Sequence, residues 1–235
     1  MKVLKNEIRD LVSQKVLVSI FYIGIIFLDA LGSVFPNYLN RQVTLFMPLP
    51  LVFIIHVLNA KKKSKLFLLS LVFHFLGLYY FNNPYKAYNG WGIVFHGIAF
   101  FLYFLILYRH FQIVSTKRVL KFSFLIMILV GIPTAIYFEG MKKAFLLQET
   151  MLYVCCVTLF IFSASILYME NKTKTNRFLL FAAVSILISA YLQGYHLFMG
   201  KSDFLVFSSI IFFNLTHYFM CWYLIEKSKQ KSALV

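Results

Sequence analysis

The chain has 235 residues, of which 61% are hydrophobic, with mean hydropathy +0.79 and 28 Phe beside 15 Tyr. A soluble domain is nearer half apolar, so this composition excludes an ordinary soluble enzyme and points to an all-α, polytopic membrane protein. The net charge of +15 would suit nucleic acid in a soluble chain, but here the bases sit in short segments between apolar runs, where they set topology and meet anionic headgroups, so no nucleic-acid partner is expected.

Apolar runs between charged or turn-rich breaks predict eight spans, roughly 16–35, 43–60, 66–81, 91–108, 119–138, 144–168, 178–199 and 203–225. The organisation is then a basic N-terminal segment (1–15), an eight-span domain (16–225) and a basic tail (226–235). The first apolar run lacks an A-x-A site and is too long for a signal core, so it reads as an uncleaved span. Of the 23 Lys and Arg residues, eighteen fall in the two terminal segments and alternate loops, and five (Arg41, Lys86, Lys142, Lys143, Lys201) fall in the others. That split places both termini in the cytoplasm, with the inner membrane as the location if the source is bacterial.

Two spans are interrupted. Pro48 and Pro50 predict a kinked or unwound outer half of span two, and Gly131 with Pro133 predict a kink in span five. Asn82–Gly90 reads as a turn-rich outer loop. Span seven carries Ser185, Ser189, Gln193 and His196 on one stripe about 80° wide at 100° per residue, which lipid does not welcome and which needs other helices or a wet cavity. Ala190 and Gly194 give the same span a small-xxx-small edge. Cys155, Cys156 and Cys221 all lie in spans and read as small hydrophobes.

An ionisable group near the bilayer centre costs about 2.5–3.5 kcal/mol on insertion scales, so each needs a reason. By depth, Asp29, His96, Glu149, Gln193 and His196 fall in the outer part of the bundle, His74 and Asn214 near the middle, and His56 and His217 in the inner part. The functional reading is an outer polar pocket with carboxylate–imidazole pairs suited to proton transfer; the bland one is that each group is capped by a neighbouring helix. There is no HExxH, GxSxG, P-loop or GxGxxG, and no two histidines stand at i and i+4, so no metal and no cofactor is assigned.

TLFMPLPL in span two, SLVFHFLGLYYF in span three, GIAFFLYFLILY in span four, ILISAYLQ in span seven and THYFMCWYLI in span eight resemble the lysoplasmalogenase (YhhN-like) family. The resemblance runs from about Arg41 to Ile225. It implies an eight-span helical bundle that hydrolyses the vinyl ether bond of lysoplasmalogens, releasing a fatty aldehyde and a glycerophospho-base. Gly77, Gly97, Tyr153, Ser189 and Tyr218 match the family pattern. The polar core is largely replaced: the acids that the family places after the glycine of span three and after the serine of span seven are Leu78 and Ala190 here. A histidine of span four is Leu105, and a glutamine of span eight is Trp222.

The expected protein is thus a YhhN-like membrane protein that binds a lysolipid or other membrane lipid, either as an ether-bond hydrolase or as a degenerate relative that only binds. If active, His74, Asp29 and His196 are the expected proton-transfer groups, with His96, Glu149, Tyr153, Ser189, Gln193 and Tyr218 around the substrate. The alternatives are a small transporter or sensor using the Asp/His stripe, and a structural subunit with an aromatic surface. Oligomeric state is not legible.

Overall fold

The computed structural model describes residues 2–83, 89–111 and 116–232. Among them are nine helices and no strand: α1 (Lys2–Val34), α2 (Arg41–Thr44), α3 (Pro48–Asn59), α4 (Lys65–Phe81), α5 (Asn89–Tyr108), α6 (Thr116–Lys143), α7 (Leu147–Glu170), α8 (Lys174–Phe198) and α9 (Asp203–Ser232). Seven stretches are long and apolar enough to cross a membrane, one of them being Arg41–Asn59 taken through the α2–α3 break. The remaining apolar helix, α4, has 17 residues. At 1.5 Å per residue that is about 25 Å, at the short end of what spans a hydrocarbon core. The all-α, multi-pass membrane bundle expected from the sequence is what the fold shows.

Boundaries moved where helix propensity continues past the apolar run. From Lys2 the basic N-terminal segment runs as one helix into the first span, because it contains no Gly or Pro to stop it. The C-terminal tail continues α9 to Ser232 in the same way. Span two breaks as its prolines predict. Leu45–Met47 leave the helix, and α3 restarts with Pro48 at its first position, where a missing N–H costs nothing. α6, by contrast, stays helical through Pro133. It ends in a Schellman arrangement, with Phe145 at φ 57°, its N–H on Lys142 O and the Leu146 N–H on Met141 O. The central residues of the predicted Asn82–Gly90 loop, 84–88, lie outside the described residues.

Caps are local and sequence-encoded. The Ser64 hydroxyl accepts from the Phe67 N–H at the start of α4, and Thr173 does the same for Asn176 at the start of α8. The core is aromatic and centred on α5, which packs between α4 and α7, with Phe67, Phe100, Tyr103 and Phe160 fully buried. α8 and α9 form the most extensive helix pair, and α1 lies against α9, where the Tyr22 hydroxyl donates to Asn214 O at 2.8 Å. α6 is the outlier: it packs against α7 and α8, and only 6% of its apolar window is buried. Large apolar side chains such as Leu120, Phe124, Met127 and Ile132 are left exposed along it, as expected of a helix facing lipid.

Candidate functional site

A cavity of about 200 Å³ opens among α1, α2 and the helices from α4 to α9. Its wall is mostly apolar, from Leu45, Val130, Val157, Leu187 and Phe213 among others. At one end the wall is charged. Asp29, only 2% exposed, accepts from Arg41 Nε at 3.0 Å, and Arg41 is 28% exposed. Arg41 Nη1 also reaches Asn82 Oδ1 at 3.5 Å. A lone carboxylate at this depth would be costly, and the ion pair is what makes a buried Asp29 tolerable. The α2–α3 break is what brings the pair together, since it sets Arg41 on its own short helix beside the end of α1.

The second polar wall is α8 against α9. Ser189 Oγ donates to Ser209 O at 2.8 Å, and Ser209 Oγ lies 2.8 Å from Gln193 Oε1. Ser189, Gln193 and Ser209 all border the cavity. The polar stripe of span seven therefore faces a partner helix and the cavity, not lipid. At its outer end the stripe turns structural: His196 Nδ1 accepts from the Ser202 N–H, closing the turn into α9.

The third wall carries His96. Its Nδ1 stands 3.0 Å from His74 Nδ1, a distance at which one proton is shared and one ring must donate while the other accepts. Behind His74 lies His217, with ring centroids 4.1 Å apart, and His217 Nδ1 pairs with the Tyr103 hydroxyl at 3.0 Å. Phe213 presents its ring edge-to-face to all three imidazoles. Among the described residues, Nε2 of His74 and Nε2 of His217 have no hydrogen-bond partner. The cluster exists because Gly77 leaves room for it: a Cβ there would come within 2.6 Å of the His96 ring. Among the described residues, no three His, Cys, Asp or Glu are arranged to hold a metal ion.

The residues singled out from the sequence divide as follows. Asp29, His96, Tyr153, Ser189 and Gln193 border one cavity. His74 sits one hydrogen bond behind it. Glu149, His196 and Tyr218 are not in its wall. Glu149 packs at Gly90, and Tyr218 stacks on Tyr22 at 5.2 Å between ring centroids. Leu78 and Ala190 both line the cavity. Sequence reasoning missed Arg41 as the partner of Asp29 and His217 as a member of the histidine cluster. A single base just beyond a buried acid was the available signal for the first. For the second there was none, because the three histidines come from three helices.

No family model, no curated protein and no solved structure matches this chain.

Proposed function

We propose that this multi-pass membrane protein binds a single-chain amphiphile, a lysolipid, in the cavity, as a YhhN-like protein in which lysoplasmalogenase-type hydrolysis is weak or lost. The observation that carries the reading is the cavity's mixed lining: a mostly apolar wall carries the Arg41–Asp29–Asn82 cluster. An alkyl chain suits the first, and a charged or zwitterionic headgroup suits the second. The YhhN-like resemblance gains support from Leu78 and Ala190, which lie on different helices yet face the same space. Two acids at those positions would flank a guest.

Vinyl ether hydrolysis needs a proton delivered to the alkene carbon, water added to the resulting oxocarbenium, and collapse of the hemiacetal to aldehyde and alcohol. Leu78 and Ala190 can supply neither proton nor base. Among the remaining groups Asp29 is committed to Arg41, and His96 is the titratable group on the wall with a ring nitrogen, Nε2, left for a guest once Nδ1 is shared with His74. General acid–base help is worth about 10²–10⁴-fold, so loss of both acids predicts aldehyde release near background. The expected orientation keeps both termini in the cytoplasm, which places the Arg41 end of the cavity on the outer side.

The test is aldehyde release from lysoplasmalogen by purified protein in detergent, alongside binding of the same lipid. The reading predicts saturable binding, little aldehyde from the wild type, and a rise of at least about 10²-fold when Leu78→Asp and Ala190→Asp are combined. Absence of binding would sink the amphiphile reading; binding with no gain from the double variant would sink the link to lysoplasmalogenases.

One observation favours a second reading, a small transporter or sensor. The broken α2–α3 segment carries Leu45 into the cavity wall, and broken helices form the substrate and ion sites of many transporters. Proton or solute flux in liposomes, abolished by Asp29→Asn, would favour it.

A further inference from the structure

A second hollow, of about 530 Å³, lies between α6 and α7. Its lining is Ser123, Ile126, Met127, Gly131, Ala135 and Phe138 from α6, with Leu159 and Phe162 among the residues of α7. Val130, Thr134 and Val154 belong to the walls of both hollows, so the two adjoin at that point.

The chemistry of the groove is narrower than its composition suggests. It contains three hydroxyls, and each is spent on its own helix. Ser123 Oγ donates to Val119 O at 2.9 Å, Thr134 Oγ1 to Val130 O at 2.7 Å and Thr158 Oγ1 to Val154 O at 2.6 Å. The hydroxyl protons are therefore unavailable to a guest, and among the described residues no charged side chain lines the groove. Water and polar solutes find no donor here, whereas a hydrocarbon chain finds continuous apolar contact. The groove also borders the least buried helix of the bundle, with 6% of the α6 window buried, so its open side meets lipid when the protein is in a bilayer.

We infer that the α6–α7 groove is the site of the distal alkyl chain of the amphiphile and the lateral path by which that chain enters from the membrane. The cavity holds the headgroup and proximal chain, and Val130, Thr134 and Val154 form the collar between the two. This assignment rests on the amphiphile reading above.

Gly131 provides a clean test. It lines the groove, its backbone is helical, and a Cβ added there would meet nothing within 4 Å. A larger side chain at 131 therefore begins in open space at a position that lines the groove. The experiment measures binding of lauroyl and stearoyl lysophosphatidylcholine to the full chain in detergent. Wild type is expected to prefer the stearoyl lipid. Gly131→Phe should cut that preference roughly tenfold, the equivalent of about two buried methylenes, and leave lauroyl binding unchanged. Ala135→Phe, one turn along the same groove, should act likewise, and Ile132→Phe, on the exposed face of α6 and in neither hollow, should match wild type. An unchanged preference in both groove variants would overturn the assignment. Equal weakening for both lipids in both variants would overturn it too, because the groove would then not be reading chain length. Failure of the wild type to bind either lipid would overturn the amphiphile reading and this one with it.

Discussion

Helices α5 and α6 are neighbours in sequence and opposites in burial: 56% of the apolar window of α5 is buried against 6% for α6. Both border the cavity, so the site has one wall fixed in the aromatic core and one wall set against lipid. On the α5 side two buried polar side chains are held by other helices, through His96–His74 and Tyr103–His217. On the α6 side the hydroxyls bond backward to their own helix, and contact with α8 comes through a few positions such as Tyr137, whose hydroxyl donates to Tyr191 O at 3.1 Å. Satisfied cross-helix bonds make a wall that keeps its shape, and self-satisfied ones make a wall that can move without losing bonds. A lipid guest needs both: fixed groups to orient its polar end and a compliant side to admit its chain.

Substitutions on the two walls should separate accordingly. The largest effect is expected at the charged pair of the cavity wall, on α1 and α2. Arg41→Ala leaves Asp29 buried without its cation and should cost about 3–5 kcal/mol, read by unfolding in mixed micelles, whereas Asp29→Asn with Arg41→Gln should recover most of it. Next comes Gly77→Ala, which drives a Cβ into the His96 ring and should cost about 1–3 kcal/mol in the same measurement. Tyr103→Phe leaves His217 Nδ1 without its partner and should cost about 1–3 kcal/mol, at or below the Gly77 change. The smallest effect, of opposite sign, is expected on the compliant side: Gly131→Ala meets no neighbour and removes a helix glycine, so it should stabilise by about 0.5–1 kcal/mol. If Gly131→Ala destabilised as much as Gly77→Ala, the contrast between the walls would be lost.

Most of this fold was legible in the sequence, because crossing lipid demands long apolar helices and leaves few other solutions. The break in span two was legible for a local reason, Pro48 and Pro50. Helix ends were less so: nothing in an apolar count reports that Lys2–Lys15, and the tail as far as Ser232, are helical. The cavity was legible in part. Asp29 and His96 were conspicuous as costly groups in apolar spans, and Ser189 with Gln193 shared a stripe. What periodicity could not show is which helix each polar group meets. Glu149 and His196 stand at depths similar to those of Asp29 and His96, yet they turn toward Gly90 and the start of α9. The Asp29–Arg41 pair and the three-histidine cluster depend on helix neighbours far apart in the chain, and those are decided by packing.

The central claim is that the cavity takes one amphiphile molecule. Native mass spectrometry of the detergent-solubilised protein with stearoyl lysophosphatidylcholine tests it most directly. The account predicts a saturable one-to-one adduct that is lost in Ala190→Trp, whose side chain would fill the cavity, and kept in Ile132→Phe, which lies outside it. An adduct that survives Ala190→Trp unchanged, or a ladder of adducts with no saturation, would contradict it.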